Sequence, residues 1–484
     1  MAGRRVRALA ALPLATALAL TGCGGDPERR ADPAPPTADA GGCPSERAAP
    51  DPHRPRVDLR FSLADDRRTV TGRETVEFTP DLPTAELVFR LLPNAPDAAA
   101  EGNALTVDAV TGPDVAGSGY EPAGGAGPGG LHVVRLGRTL APGETTRVRL
   151  DFTTRLGSGG FDRLGVADAV SWWGSGAPLL AWEPGTGWAR DPYVPLVGET
   201  AVSPAADTTV SVTAPADLTV LMTGDQEDPV PAGTGRRTWR AHEPAARDVS
   251  VAAGEFTTAT EQAGDVRVTS GVLADQDEDG DPDGDPDGRA RELAAATADA
   301  VRALSERFGP FPYRTLTVPQ LPPYGGGIEY PSSVQLAVPT GARRVLVHEV
   351  GHMWFYGMVG NSQFRDPWLD ESFAGYTETV TDPLPPDEVA DALRLPGGVG
   401  GAMSDFPDDD RYVATVYEKG AAALVAAREA AGAAAFDAAV RCYVDARAWA
   451  VATPADVGTA LAGLPAALEV LRDVGALDAD DLPD

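Results

Sequence analysis

The hydrophobic residues of this chain change their period once, and that change limits the possible folds more than any other feature. From about residue 54 to 258 they recur at every second position: Val57, Leu59, Phe61 and Leu63; Val148, Leu150 and Phe152; Val210 and Val212; Leu218 and Val220; Val249 and Val251. Alternation of this kind turns one face of a strand to a core and the other to water, and turn-rich segments separate the runs, so a β domain of sandwich type is expected. Tryptophans gather in "SWWGSGAPLLAWEPGTGW", where they fill a core more readily than they line a cleft. Past residue 290, Leu293, Ala296, Ala300, Leu304 and Phe308 step by three or four with Val301 beside them, the stripe of a helix that "FGPFPY" stops. A chain of 484 residues has room for two or three domains. The expected class is α+β: a β domain over residues 54–258, then a mainly helical domain over 259–484.

Between the two regimes lies "DQDEDGDPDGDPDG", with Asp275, Asp277, Asp279, Asp281, Asp283, Asp285 and Asp287 at alternate positions. Counted as a calcium loop from Asp275, it has Pro286 at position twelve; counted from Asp279, it has Ala290 there. The bidentate Glu that closes such a loop is missing, so residues 275–288 read as a solvated acidic connection and not as a Ca2+ site.

Five histidines occur in the whole chain, and two of them stand four apart in "VLVHEVGHMWFYGMVG". On a helix that spacing puts His348 and His352 on one face, able to offer nitrogens to one metal while Glu349 stays beside it. Eighteen residues further on, "DPWLDESFAGYTE" supplies Glu371; a helix starting near Trp368 would turn Glu371 and Glu378, seven apart, to the same side. Two His and one Glu make a three-ligand set that keeps a fourth position for water, the arrangement of a catalytic zinc.

His-Glu-Val-Gly-His, eighteen residues and then Glu resembles the gluzincin pattern of the aminopeptidase N family of zinc metallopeptidases, and "WLDESFAGYTE" is similar to that family's segment around the third ligand. "GGGIEYP", with Gly326, Gly327 and Glu329, falls where the family has Gly-x-Met-Glu-Asn, which matches Glu329 to the carboxylate that holds a substrate's free amino terminus. "VYEKG" matches Tyr417 to the family's transition-state tyrosine. The resemblance covers residues 54 to 450, weakly in the β region and strongly from 325 to 420. It implies a saddle-like β domain on a thermolysin-like catalytic domain, one zinc held by His348, His352 and Glu371, Glu349 as general base, and peptides as substrates; Glu378, on the same helix face as Glu371, is a candidate for orienting a ligand histidine, the alternative being a surface glutamate. Ile328 stands where the family has Met, Tyr330 where it has Asn, and Asp370 and Ser372 where it has Asn and Gly. Only 67 residues follow Tyr417, so the large helical domain of many relatives is not expected. An endopeptidase or another hydrolase on the same zinc site, or an inactive lipoprotein that keeps the fold as a binding surface, would share these residues.

The chain has 71 acidic against 40 basic residues, a net charge of −31, which disfavours nucleic acid and anionic lipid surfaces as partners. Lys419 is the sole lysine. Residues 1–22 read as an export signal: "MAGRRVR" is a basic start and "ALAALPLATALAL" an apolar stretch too short to span a bilayer, which takes about 20 residues. "LTGC" resembles the bacterial lipobox, which makes Cys23 the lipidated first residue of a lipoprotein on the outer face of the cell membrane, touching the membrane through that anchor alone. Residues 23–53, rich in Pro, Ala, Gly and Asp, read as a flexible tether. Cys43 within it and Cys442 in a helical-looking segment are the two cysteines left, and an exported compartment permits a disulfide between them. Replacing Cys23 by Ser should release the protein from the membrane fraction; unchanged fractionation would point to a different anchor.

Overall fold

Alternation along Arg56–Leu63 is matched by alternation on the strands beside it. In the computed structural model, which describes residues 43–167, 169–198, 201–273, 285–322, 325–339 and 341–482, this strand pairs antiparallel with Thr69–Phe78 and parallel with Ala206–Pro215. Both belong to an eight-stranded sheet that also contains Thr146–Arg155, Ala104–Thr111 and Arg236–Ala246. The register sets Gly72 opposite both Phe61 and Phe152. A Cβ on Gly72 would lie 2.1 Å from the Phe152 ring, so the glycine is what lets that aromatic lie across the sheet.

Two four-stranded sheets cover the buried side chains of the long sheet. Val76, Phe78, Val148 and Leu150 pack with Leu87, Phe89, Val134 and Trp182; Leu59, Phe61, Val70 and Phe152 pack with Trp173, Val220, Met222 and Val251. The tryptophans are core residues: Trp173 and Trp182 belong to these two clusters, Trp172 is fully buried in a third with Val170, Leu221 and Phe256, and Trp182 meets Trp188 at 4.7 Å and Phe78 at 5.3 Å, edge to face.

From Phe256 the chain builds a five-stranded sheet in the order Phe256–Ala263, Val266–Leu273, Thr315–Pro319, Ser333–Leu336, Gly327–Tyr330. Val266–Leu273 and Thr315–Pro319 are parallel, and the helix Pro286–Phe308 crosses between them. That helix buries Leu293, Ala300, Val301, Leu304 and Phe308, while Ala296 is only half-buried. Asp285 caps its start by accepting from the Gly288 N–H at 2.8 Å, and Gly309, at φ +92°, ends it. The last residues of the acidic stretch are thus the cap and first turn of a helix. Residues 274–284, with the rest of the stretch and the calcium question, lie outside the described residues, as do the export signal and Cys23. Among the described residues no helix is long and apolar enough to cross a membrane.

The helices Arg343–Gly351, Trp368–Thr381, Gly420–Ala431 and Ala433–Arg447 share one core with the five-stranded sheet. Onto the last of them the beginning of the described chain is fastened. Cys43 is disulfide-bonded to Cys442, with Cα atoms 5.3 Å apart. Arg47 Nε donates to Asp445 Oδ1 at 2.9 Å and its Nη1 to the Pro310 carbonyl at 2.6 Å. A segment with little to bury is held here by a covalent bond and a charged anchor, which a reading of its composition as flexible does not anticipate. Non-reducing peptide mapping should recover Cys43 joined to Cys442, and trypsin should cut after Arg47 far faster once the bond is reduced. Equal rates before and after reduction would show that the segment is not held by this bond.

Candidate active site

Helix geometry puts the first two functional side chains together. His348 and Glu349 lie in the last turns of Arg343–Gly351, and His352 follows as its cap residue, its N–H bonded to the His348 carbonyl at 3.2 Å. The two imidazoles meet edge to face with centroids 4.8 Å apart. Each ring has its Nδ1 engaged: His348 with Glu378 Oε1 at 2.8 Å, His352 with the Phe355 carbonyl at 3.1 Å. A carbonyl and a carboxylate only accept, so the protons sit on Nδ1 and both Nε2 atoms face forward as ligands. Arg344 Nε holds the other Glu378 oxygen at 3.3 Å.

Both Nε2 atoms face one carboxylate oxygen. Glu371, in the first turn of Trp368–Thr381, places Oε2 3.2 Å from His348 Nε2 and 3.5 Å from His352 Nε2. Ligand atoms at about 2.0–2.1 Å from a tetrahedral ion stand about 3.3–3.4 Å apart, so both distances from the carboxylate to the imidazoles are those a single zinc requires, and two nitrogens with one oxygen are the donors zinc takes. The electrostatics agree. Burial disfavours charge on His352, but the Glu329 and Glu371 carboxylates outweigh it and push the imidazole up to about 9. Burial also pushes Glu371 up, yet His352 and His348 hold it well below the usual carboxylate range. The pocket stabilises positive charge where the three ligand atoms meet.

Glu349 and Glu329 stand beside that point. With His352 they form a second convergent set, ligand atoms within 4.8 Å of one another. Glu349 Oε2 and Glu329 Oε1 are buried without a protein partner, and burial pushes Glu349 up to about 7 against the pull of His348 and His352. Glu329 lies on Gly327–Tyr330, paired with Ser333–Leu336 in a hairpin. Gly327 lets this strand close on the helix. Gly326 accepts from the Ala337 N–H at 2.8 Å, and a Cβ on Gly327 would lie 2.5 Å from Glu349 Cγ.

Residues 56–254 hold the other side of the hairpin. The Gly224 N–H donates to Ser332 Oγ at 2.8 Å and Gln335 Nε2 to Ser250 Oγ at 3.0 Å. Tyr330, almost fully buried, runs its hydroxyl over Gly174, where a Cβ would be 1.9 Å from it. The buried Arg163 charge faces both the Tyr330 hydroxyl and Glu329 there.

Tyr417 enters from a wide π-helical turn, Val413–Lys419. Its ring stacks parallel to His348 at 5.9 Å, with Tyr412 edge-on at 5.8 Å. Burial, and then the Glu371 carboxylate, push its phenol well above the ordinary value, so it keeps a proton to donate. Lys419, two residues on, donates to the Gly397 carbonyl at 2.6 Å.

His348, Glu349, His352, Glu371, Glu329 and Tyr417 are therefore brought together, with Glu378 behind His348 and Gly327 against Glu349; the Cys43–Cys442 bond belongs to a different part of the molecule. Sequence reasoning missed Arg163, Tyr412 and the Phe355 carbonyl. A carbonyl has no sequence signature, and nothing in the sequence around Arg163 distinguishes it from the chain's other arginines.

No protein-family model matches the chain. It is 29% identical over 168 residues to leucine aminopeptidase 2 of Eremothecium gossypii, a match covering 30% of this chain and 27% of that relative's length. Among solved structures it is similar to an M1 zinc metallopeptidase of Deinococcus radiodurans, with a TM-score of 0.64 and 21% identity over 91% of this chain and 97% of the other. A single-site variant from the same organism, solved with a Tyr-Ser-Ala substrate, gives 0.62 and 21% over 89% and 96%. A two-domain M1 zinc metallopeptidase variant bound to L-arginine gives 0.64 and 21% over 91% and 97%. The chain has the α+β fold of the two-domain M1 zinc metallopeptidases. Glu378→Gln should weaken divalent-metal retention about 10- to 100-fold in chelator competition, the usual cost of losing a ligand's orienting partner; unchanged retention would make the His348–Glu378 contact incidental.

Proposed function

We propose that this chain is a zinc-dependent peptidase that removes single residues from free amino termini. The observation that carries the reading is the convergence of His348 Nε2, His352 Nε2 and Glu371 Oε2 beside two buried carboxylates, Glu349 and Glu329, each with an oxygen that no protein group satisfies. The similarity to a protein named leucine aminopeptidase, and to structures solved with amino acids and a tripeptide, supports it.

His348, His352 and Glu371 would hold one zinc per chain, which would supply Lewis-acid chemistry, lowering the pKa of a bound water towards about 7 and polarising a carbonyl. The chain's own groups do the rest. Glu349 takes a proton from the attacking water and delivers it to the leaving amine, as a carboxylate within reach of both can. Tyr417 donates to the oxygen of the carbonyl as it gains negative charge, a contact that matters most in the transition state and is worth about 2.7–4 kcal/mol. Glu329 pairs with the substrate's ammonium and so fixes which peptide bond reaches the water. With its hydroxyl turned towards Gly174, Tyr330 leaves Glu329 as the charged anchor of its strand.

We propose further that the chain is exported and held at the cell surface by a lipid on Cys23. The amino-terminal sequence supports this, and so does the Cys43–Cys442 bond, since disulfides persist in oxidising compartments.

Glu349→Gln should keep its zinc and lose nearly all turnover; loss of the metal with the activity would mean that the roles are misassigned. Glu329→Ala should lower kcat/KM for a free-amino peptide about 30-fold or more, at least ~2 kcal/mol for truncating one side of a buried ion pair. An N-acetylated peptide cleaved as fast as the free one by the wild-type protein would replace this reading with an endopeptidase.

A further inference from the structure

Tyr417 is carried by an element that helices rarely contain. In the wide turn Val413–Lys419 the N–H groups reach five residues back instead of four, which disturbs the pairing of the carbonyls around it; such turns are costly and concentrate at functional sites. The carbonyl of Val416, next to Tyr417, accepts a hydrogen bond from Ser372 Oγ at 2.6 Å. Ser372 is fully buried and directly follows Glu371. Room for its hydroxyl comes from Gly420, where a Cβ would stand 2.0 Å from Oγ. The other side of the turn is tied to one loop: Thr415 Oγ1 donates to the Pro396 carbonyl at 3.1 Å and Lys419 Nζ to the Gly397 carbonyl at 2.6 Å. The backbone on which Tyr417 is mounted thus has one short tie to the helix that supplies Glu371, and that tie is Ser372.

We propose that Ser372 is a positioning residue for Tyr417. Its hydroxyl fixes the Val416–Tyr417 backbone to the Glu371 helix, and so sets the distance between the phenol and the carbonyl oxygen that zinc polarises. The inference rests on the catalytic reading of Tyr417 given above. Ser372 touches neither substrate nor metal, and it acts through one peptide group. Removing its hydroxyl takes away the side-chain donor to that carbonyl and the tie to the Glu371 helix, which lets the wide turn shift and move the phenol.

The test uses the full zinc-loaded chain and Ser372→Ala, which removes the hydroxyl and adds no bulk. With the phenol displaced, kcat should fall about tenfold while KM stays within about twofold, the pattern of an interaction made in the transition state. Zinc content should not change. In a Tyr417→Phe background the same substitution should change kcat by less than about twofold, because two residues acting as one unit are not additive. A tenfold loss that persists in that background would show a general structural effect and overturn the proposal, as would an unchanged kcat in Ser372→Ala itself. A second readout needs no activity. In protein labelled with 3-fluorotyrosine, the 19F resonance missing from Tyr417→Phe belongs to Tyr417, and it should shift or broaden in Ser372→Ala. An unmoved resonance overturns the positioning role even if the chain cleaves no peptide, whereas inactivity of the wild type with a resonance that moves would count against the peptidase reading alone.

Discussion

Four carboxyl groups, Glu329, Glu349, Asp370 and Glu371, are each at most 5% exposed and share one pocket. Water cannot solvate them there, and leaving one such charge unpaired costs about 3–5 kcal/mol, so each must find positive charge or give up its own. The pocket resolves this differently for each. Glu371 is held ionised between two imidazoles. Burial and the neighbouring Glu371 raise Asp370 to about 8, and burial carries Glu349 to about 7. Glu329 has the Arg163 charge nearby on the side of residues 56–254. Carboxyl groups that differ only by where they are buried thereby come to differ in charge, as environment sorts acid from base in many active sites, and the proposed roles of ligand, proton acceptor and anchor rest on that difference. The glycines at 326 and 327, the hydrogen-bonded hairpin and the two engaged Nδ1 atoms all serve to keep these groups within a few ångströms of one another.

The part of this that was legible in the sequence is the part governed by helical period. His348, Glu349 and His352 could be placed because four residues is close to one turn, and Glu371 and Glu378 because seven is close to two. The strands of the β region were legible from alternation, but their order was not: Arg56–Leu63 lies parallel to Ala206–Pro215, about 150 residues later, and nothing local encodes a pairing at that separation. Tyr417 could be found only by resemblance, since "VYEKG" reads as ordinary helix and the extra residue of a wide turn leaves no mark in hydrophobic spacing. Composition misled at Cys43–Arg54 and at Asp285–Gly288, where polar, proline-containing segments are held by a few specific bonds and not by burial. Arg163 shows the same limit from the other side. Its importance lies entirely in what surrounds it, and its surroundings come from three separate stretches of chain.

The hairpin Gly327–Leu336 has a consequence for how the molecule could be divided. By sequence it belongs to the later, zinc-ligand half, which begins near residue 259. In space it is held from the earlier half: by the Gly224 N–H on Ser332, by Ser250 on Gln335, and by the cleft that Gly174 leaves for the Tyr330 hydroxyl, with the buried Arg163 charge beside it. The candidate metal ligands His348, His352 and Glu371 come wholly from helices or their caps in the later half, so on the proposed reading that half carries the donors needed to hold an ion. It does not carry what keeps Glu329 pointed at it. On the proposed function, ownership of the site is split, with reactivity belonging to one half and the choice of substrate end to the seam between them. A recombinant chimera that exchanged the β region for another would inherit the zinc and have to reinvent the selectivity.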